Sequence, residues 1–290
     1  MKKIITFFKI AISGFLAICI LSCFCFFYCY TPFGVADETE STIRKSQPLS
    51  CSHYMKEGFS WKKTDANGYY NKTKEQSIDP EILIAGSSHF EALQISESDT
   101  VEGILNSKYK TYSLGVSGQF IDQCLCRLPK MVDTYHPSKY IILETNGEPI
   151  DKEDLKRALE QYGNPEEIFT LYNHLSPKLA KLYAFVRTFI PSAVELYEGF
   201  NNWANAERRE KSINKDNFVF DQEYEYILNS LISKASNTVK NANIKLIIVS
   251  RKKGHLESDG SYTIPGSPHD YDDKLNKICK KTWSCFVRCF

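Results

Sequence analysis

The chain has 290 residues, with 36 basic against 35 acidic side chains and a formal net charge of +1. That balance excludes the strongly basic footprint of a nucleic-acid binder. Hydrophobic residues at 42% and charged ones at 24% are the proportions of a globular chain with a real core, which excludes wholesale disorder.

The first thirty positions hold no acidic residue, and Lys2, Lys3 and Lys9 are their only charges. From Ile10 to Tyr30 there is no charge at all, a run long enough for a helix to cross a bilayer core of ~30 Å. Residues 1–9 read as a basic cytosolic end and 10–30 as a single transmembrane helix. The lysines precede the run and Asp37, Glu38 and Glu40 follow it, so the positive-inside rule places the main domain outside the cytosol, periplasmic or extracellular. A cleaved signal peptide has a shorter apolar core, and this run continues through Phe24, Phe26, Phe27 and Tyr28. Ile20-Leu21-Ser22-Cys23 loosely follows a lipoprotein cleavage box. Beyond residue 30 the charges nearly balance, which implies no strong attraction to anionic lipid.

Cys19, Cys23, Cys25 and Cys29 lie in the apolar run as small apolar residues or acylation candidates. Cys51, Cys124, Cys126, Cys279, Cys285 and Cys289 can pair in an oxidising compartment. No Cys/His grouping has zinc spacing, so no structural metal is expected.

Residues 31–78 are polar and broken by Pro32, Pro48, Gly58 and Gly68, a stalk and entry segment. Glu81–Gly86 is a short apolar run bounded by turn residues, the pattern of a strand buried on both faces. Tyr112–Val116, Tyr140–Leu143 and Ile244–Val249 repeat it, with a helical pattern over Phe120–Tyr135. Alternating strands and helices predict a parallel sheet covered by helices, over residues 79–290. The stretch 151–243 is too long for one crossover and reads as a helical insertion. Asp151-Lys152-Glu153-Asp154-Leu155 opens one helix, and Tyr172–Ile190 suggests another whose Tyr183, Phe185, Arg187 and Phe189 pack onto the sheet or line a groove.

In a parallel α/β sheet, ligands bind beyond the carboxyl ends of the strands. Gly86-Ser87-Ser88-His89-Phe90 follows the first strand and turns a hydroxyl into that crevice; Phe90 stands where the α/β-hydrolase elbow needs a second glycine. Ser113–Gln119 follows the second strand, and Gly118 offers a backbone N–H uncrowded by a side chain. Glu144-Thr145-Asn146-Gly147-Glu148 follows the third and supplies an amide donor in Asn146. Each segment alone is also an ordinary turn.

Together, in this order, the three segments resemble the SGNH (GDSL-like) hydrolase family. The resemblance covers roughly residues 79–250 and implies a three-layer, flavodoxin-like α/β fold. It matches Ser88 to the nucleophile, with Ser87 in place of the usual aspartate, and Gly118 to an oxyanion donor. Asn146 matches the oxyanion asparagine of the third block, with Glu148 as the ungapped alternative. The Gly-Ser-Ser-His form looks like exported, membrane-anchored branches that act on cell-envelope polymers.

The family's histidine lies in a final Asp-x-x-His block after the fifth strand. No such block occurs near this C-terminus; Asp272–Lys281 reads as the helix before that strand, and the cysteine-rich ending suggests truncation or a shifted frame over the last ~10 residues. His89, beside Ser88, is expected on another side of the turn, and His136 at the opposite end of the third strand. His255 and His269, on the loop after the fourth strand, are the candidate bases. His53 and His174 have no supporting context.

The expectation is a membrane-anchored serine esterase or O-acyltransferase acting on acylated cell-envelope carbohydrate. The alternatives are a truncated non-catalytic remnant or carbohydrate-binding envelope protein, and an anchored structural partner with an incidental crevice. No dinucleotide fingerprint or phosphate loop is present, so no cofactor is expected.

Overall fold

The computed structural model describes residues 2–29, 34–36, 44–46, 51–54, 60–71, 79–147, 149–164, 220–251, 255–256, 262–263, 271–282 and 284–289. Helix α1 (Lys2–Cys29) contains an 18-residue stretch, Ile4–Leu21, with a mean hydropathy of 2.4 and no residue buried. It is long and apolar enough to cross a membrane, a property that anchors and signal sequences share. Two short antiparallel hairpins follow, β1 (Gly34–Ala36) with β2 (Arg44–Ser46) and β3 (Cys51–Tyr54) with β4 (Ser60–Lys63).

The domain is built on β5 (Ile82–Ala85), β6 (Thr111–Ser113), β7 (Tyr140–Thr145), β8 (Lys245–Arg251) and β11 (Cys285–Cys289). All pair in parallel, in the spatial order β11-β8-β7-β5-β6. Numbered by entry into the sheet, that is the 2-1-3-4-5 order of the flavodoxin-like α/β fold, as expected. The cysteine-rich ending is the fifth strand, Cys285 to Cys289 registering against Ile247 to Arg251.

From β5 the chain runs through α2 (Ser88–Glu91) and α3 (Val101–Leu105) to β6 at one edge. The later connections run the other way across the sheet: α4 (Ile121–Cys126), α5 (Leu128–Tyr135), α6 (Lys152–Glu160), α7 (Gln222–Asn241) and α8 (Tyr271–Lys281). Right-handed crossovers therefore put α3 on one face and these helices on the other. A short hairpin, β9 (His255–Leu256) with β10 (Tyr262–Thr263), lies between β8 and α8.

The core sits on the second face. Leu83 and Ala85 of β5, Ile141 and Leu143 of β7, and Leu246 and Ile248 of β8 are buried against these helices, one of each pleated pair pointing inward. Helix α7 buries Tyr224, Ile227, Leu228, Leu231, Ile232, Ala235 and Val239, a 3.6-residue stripe. Asp221 starts it by accepting a hydrogen bond from the Tyr224 N–H at 2.7 Å. The helix expected over Phe120–Tyr135 is two helices, α4 and α5, because Pro129 lacks the N–H that would continue the ladder of α4. Cys124, Cys126 and Cys279 are free thiols buried in this core, and burial pushes each up to about 12. Of the expected insertion, α6 and α7 are described, whereas Tyr183, Phe185, Arg187 and Phe189 lie outside the described residues.

The entry segment closes the β6 edge with side chains. Asn71 Oδ1 accepts from the Ser113 N–H at 2.7 Å and Asn71 Nδ2 donates to the Ser113 carbonyl at 2.9 Å, the exchange a neighbouring strand would make. Asp65, fully buried, accepts from the backbone N–H groups of Asn67 (2.8 Å) and Tyr69 (2.9 Å), from Asn71 Nδ2 (3.0 Å) and from the Tyr112 hydroxyl (2.6 Å). Burial and this carboxylate together hold the Tyr112 phenol well above its ordinary range. Truncating Asp65 would strand buried donors on both sides of the edge. Asp65→Ala should lower the unfolding free energy by about 3 kcal/mol in a denaturant titration of the full chain; a loss under about 0.5 kcal/mol would show that the edge is held otherwise.

Candidate active site

At the carboxyl end of β5 the chain turns through Gly86 and Ser87 into α2, whose first residue is Ser88. Glycine is required at 86 by close approach: a Cβ there would stand 2.6 Å from Glu144 Cβ and 2.7 Å from Glu144 Oε2. The space so left admits the Glu144 side chain, which is 4% exposed. Its Oε2 accepts hydrogen bonds from the Ser87 N–H and the Ser87 hydroxyl, both at 2.9 Å. Its Oε1 lies 3.1 Å from His89 Nδ1 and 3.5 Å from Arg251 Nε, close polar contacts that are not hydrogen bonds. Ser87 Oγ is also 3.1 Å from His89 Nδ1. One buried carboxylate thus ties the ends of β5, β7 and β8 together.

A second acid fixes the loop after β6. Glu91, at the end of α2, accepts from the Ser117 N–H at 2.9 Å and from the Ser117 hydroxyl. Burial raises the Glu91 carboxyl above its usual range, against the opposing pull of Ser117 and Lys62. Gly118 follows with φ +83°, a conformation that strains other residues, and nothing stands within 4 Å of where its Cβ would be. Its surroundings are therefore open to an approaching oxygen. Gln119 spans the two turns when its amide is oriented to satisfy both partners, with Nε2 donating to the Gly86 carbonyl at 3.2 Å and Oε1 accepting from Arg127 Nη1 at 2.7 Å.

Ser88, Gly118 and Asn146 all line one cleft of about 720 Å³, the three residues matched on separate strands by the sequence. Ser87, His89, Glu144 and Arg251 line it as well. Expected on another side of the turn, His89 instead faces the cleft, because Ser87 is extended (φ −83°, ψ −159°) and Glu144 draws the imidazole inward. His136 sits at the opposite end of the sheet, as expected, where Ser138 N–H donates to the Pro80 carbonyl ahead of β5. Among the described residues, no hydrogen bond engages Ser88 Oγ. His255 belongs to β9, but its side chain, like the whole of His269 and Glu148, lies outside the described residues. Arg251, the last residue of β8, lines the cleft, so the chain carrying both histidines departs from its rim.

Residues of α4 and α6 line the cleft as well. Asp122 is 4% exposed and its Oδ1 has no hydrogen-bond partner among the described residues. Burial, reinforced by Asp154 and opposed by the Gln123 N–H, pushes its carboxyl up to about 6. Sequence reading missed Ser87, Glu144, Arg251 and Asp122; the first three surround the predicted strand ends, whereas nothing in the sequence pattern marks Asp122. Among the described residues, no group of three or more His, Cys, Asp or Glu side chains is placed to hold a metal ion.

No protein-family model matches the sequence, and no curated protein does. Among solved structures, the chain is similar to TesA, with 13% identity, a TM-score of 0.34 and coverage of 71% of this chain and 76% of that one. It is also similar to a GDSL-like lipase from Bacteroides thetaiotaomicron, with 13% identity, a TM-score of 0.33 and coverage of 71% and 67%. These likenesses concern the general fold alone. The 2-1-3-4-5 strand order is that of the flavodoxin-like fold that the resemblance implied.

A carboxyl raised from 3.8 to about 6 favours folding in its protonated form. That contribution is complete below about pH 3.8 and is lost as pH rises through about 6. Asp122→Asn should therefore unfold at a higher temperature than the parent at pH 7.5, by an equivalent of about 2–3 kcal/mol, and show little gain at pH 3.5. An equal gain at both pH values would contradict a buried, titrating carboxyl.

Proposed function

We propose that this protein is a membrane-anchored serine esterase or O-acyltransferase of the SGNH type, acting on acylated cell-envelope carbohydrate. The observation that carries the reading is the convergence of Ser88, Gly118 and Asn146, matched separately in sequence, on one cleft. In this reading Ser88 Oγ attacks the acyl carbonyl carbon and gives up its proton to a base. The carbonyl oxygen takes up the negative charge, which the Gly118 N–H and the Asn146 side chain stabilise. Collapse breaks the carbon–oxygen bond to the leaving alcohol, which regains a proton. Water or a sugar hydroxyl then attacks the acyl-serine, completing hydrolysis or transfer.

His255 and His269 remain the candidate bases, supported by the departure of their segment from the cleft rim at Arg251. His89 neighbours Ser88 in the same helical turn, and adjacent helical residues do not face each other. Its contacts with Ser87 and Glu144 suit it to holding the nucleophile turn in place. Helix α1 serves as the uncleaved anchor, with its lysines in the cytosol and the α/β domain outside. Residues 31–78 form the stalk and entry segment, and 151–243 the helical insertion. The competing reading, a carbohydrate-binding protein without turnover, is the other outcome of the test.

In detergent-solubilised full chain, p-nitrophenyl acetate should be hydrolysed, and Ser88→Ala should cut the rate by about 10⁴-fold or more. Equal rates in both proteins would remove Ser88 from the mechanism, and no turnover in the parent would favour the binding reading.

A further inference from the structure

Ser87 and His89 flank Ser88 in the chain, and both touch the buried Glu144 carboxylate. Counting hydrogens orders these contacts. The Ser87 hydroxyl has one proton and places it on Glu144 Oε2 at 2.9 Å. Its oxygen, 3.1 Å from His89 Nδ1, can then only accept there, so Nδ1 carries a hydrogen and donates it. A chain thus runs from imidazole through hydroxyl to carboxylate, and the Ser87 N–H, also on Oε2 at 2.9 Å, keeps the carboxylate in place. With the hydrogen on Nδ1, the neutral ring has its lone pair on Nε2. The carboxylate at the end of the chain also stabilises the positive charge that the ring carries once Nε2 takes a proton. The imidazole is 45% exposed and lines the same cleft as Ser88. Adjacent helical side chains diverge, so the ring is placed to serve the second reactant rather than Ser88 itself.

We propose that His89, held as the Nδ1–H tautomer by Ser87 and Glu144, exchanges protons with the alcohol side of the reaction, first the leaving alcohol and then the incoming hydroxyl. As Ser88 Oγ bonds to the acyl carbon, its proton goes to the separate base; the carbon–oxygen bond to the leaving alcohol breaks, and that oxygen takes the proton of protonated His89 Nε2. In the second half Nε2 takes the proton of water or a sugar hydroxyl as that oxygen bonds to the acyl carbon. The bond to Ser88 Oγ then breaks, and the base returns its proton to Ser88, so each group ends as it began. The inference rests on the ester reading and adds to it a proton carrier distinct from the base that serves Ser88.

The test is stopped-flow hydrolysis of p-nitrophenyl acetate by the full chain in detergent micelles, with His89→Asn as the variant. The asparagine amide nitrogen reaches where Nδ1 stands and still donates to Ser87, so the turn is kept while Nε2 is lost. Nitrophenolate leaves without needing a proton. His89→Asn should therefore release the first equivalent at an unchanged rate and then turn over at least ~10²-fold more slowly, because the acyl-serine waits for an activated hydroxyl. An unchanged steady rate overturns the proposal, and so does loss of the first equivalent from a folded variant. A second readout needs no turnover: in two-bond proton–nitrogen NMR correlations of Ser88→Ala, neutral His89 should be the Nδ1–H tautomer, and Ser87→Ala should lose that preference. An Nε2–H tautomer overturns the hydrogen-bond chain. A protein with the Nδ1–H tautomer but no Ser88-dependent nitrophenolate release supports the chain and faults the ester reading.

Discussion

A charged group removed from water must find partners, and at the carboxyl end of this sheet that demand falls on Glu144. Its carboxylate reaches back from β7 to the Ser87 N–H and hydroxyl, and its other oxygen faces His89 and Arg251. Four groups from two other stretches of chain are thereby fixed around one point. Gly86 is small because that carboxylate occupies the space a side chain would fill. The turn that presents Ser88 is held by this contact more than by helix capping, since Ser87 makes no side-chain cap to α2.

The turn that carries Ser88 is also held from its far end by residues well upstream. Lys62 Nζ donates to the Ala92 carbonyl and Ser60 Oγ to the Leu93 carbonyl, satisfying backbone acceptors just past a helix of a single turn. Through Asp65 and Asn71, the same entry segment binds the β6 edge. Glu91 then joins the end of α2 to Ser117, next to Gly118. The position of Gly118 relative to Ser88 thus depends on a polar framework that begins before the first strand of the sheet.

The sheet was readable in the sequence because its strands are short apolar runs closed by turn residues, and a central parallel strand such as β5 must be apolar on both faces. Strand order followed from resemblance, since no local pattern specifies which strands are neighbours. That Ser88, Gly118 and Asn146 line one cleft was readable because all three follow strand ends, which such a fold gathers at one edge of the sheet. The cleft position of His89 was not, because it depends on a carboxylate 55 residues away in sequence that reads as the polar end of a strand. The core role of residues 60–71 was likewise hidden: a polar stretch with a glycine looks like linker, yet its Asp65 and Asn71 are buried by partners that only the fold supplies. The cysteine-rich ending was not read as a strand, because its pairing with β8 is made by backbone groups that side-chain pattern does not mark.

The most direct measurement is a crystal structure of the full chain after reaction with a fluorophosphonate. A phosphonyl group bonded to Ser88 Oγ, with its oxygen within hydrogen-bond distance of the Gly118 N–H and the Asn146 side chain, is the result this account predicts. An adduct on Ser87, or on Ser88 with the oxygen turned away from both donors, would contradict it.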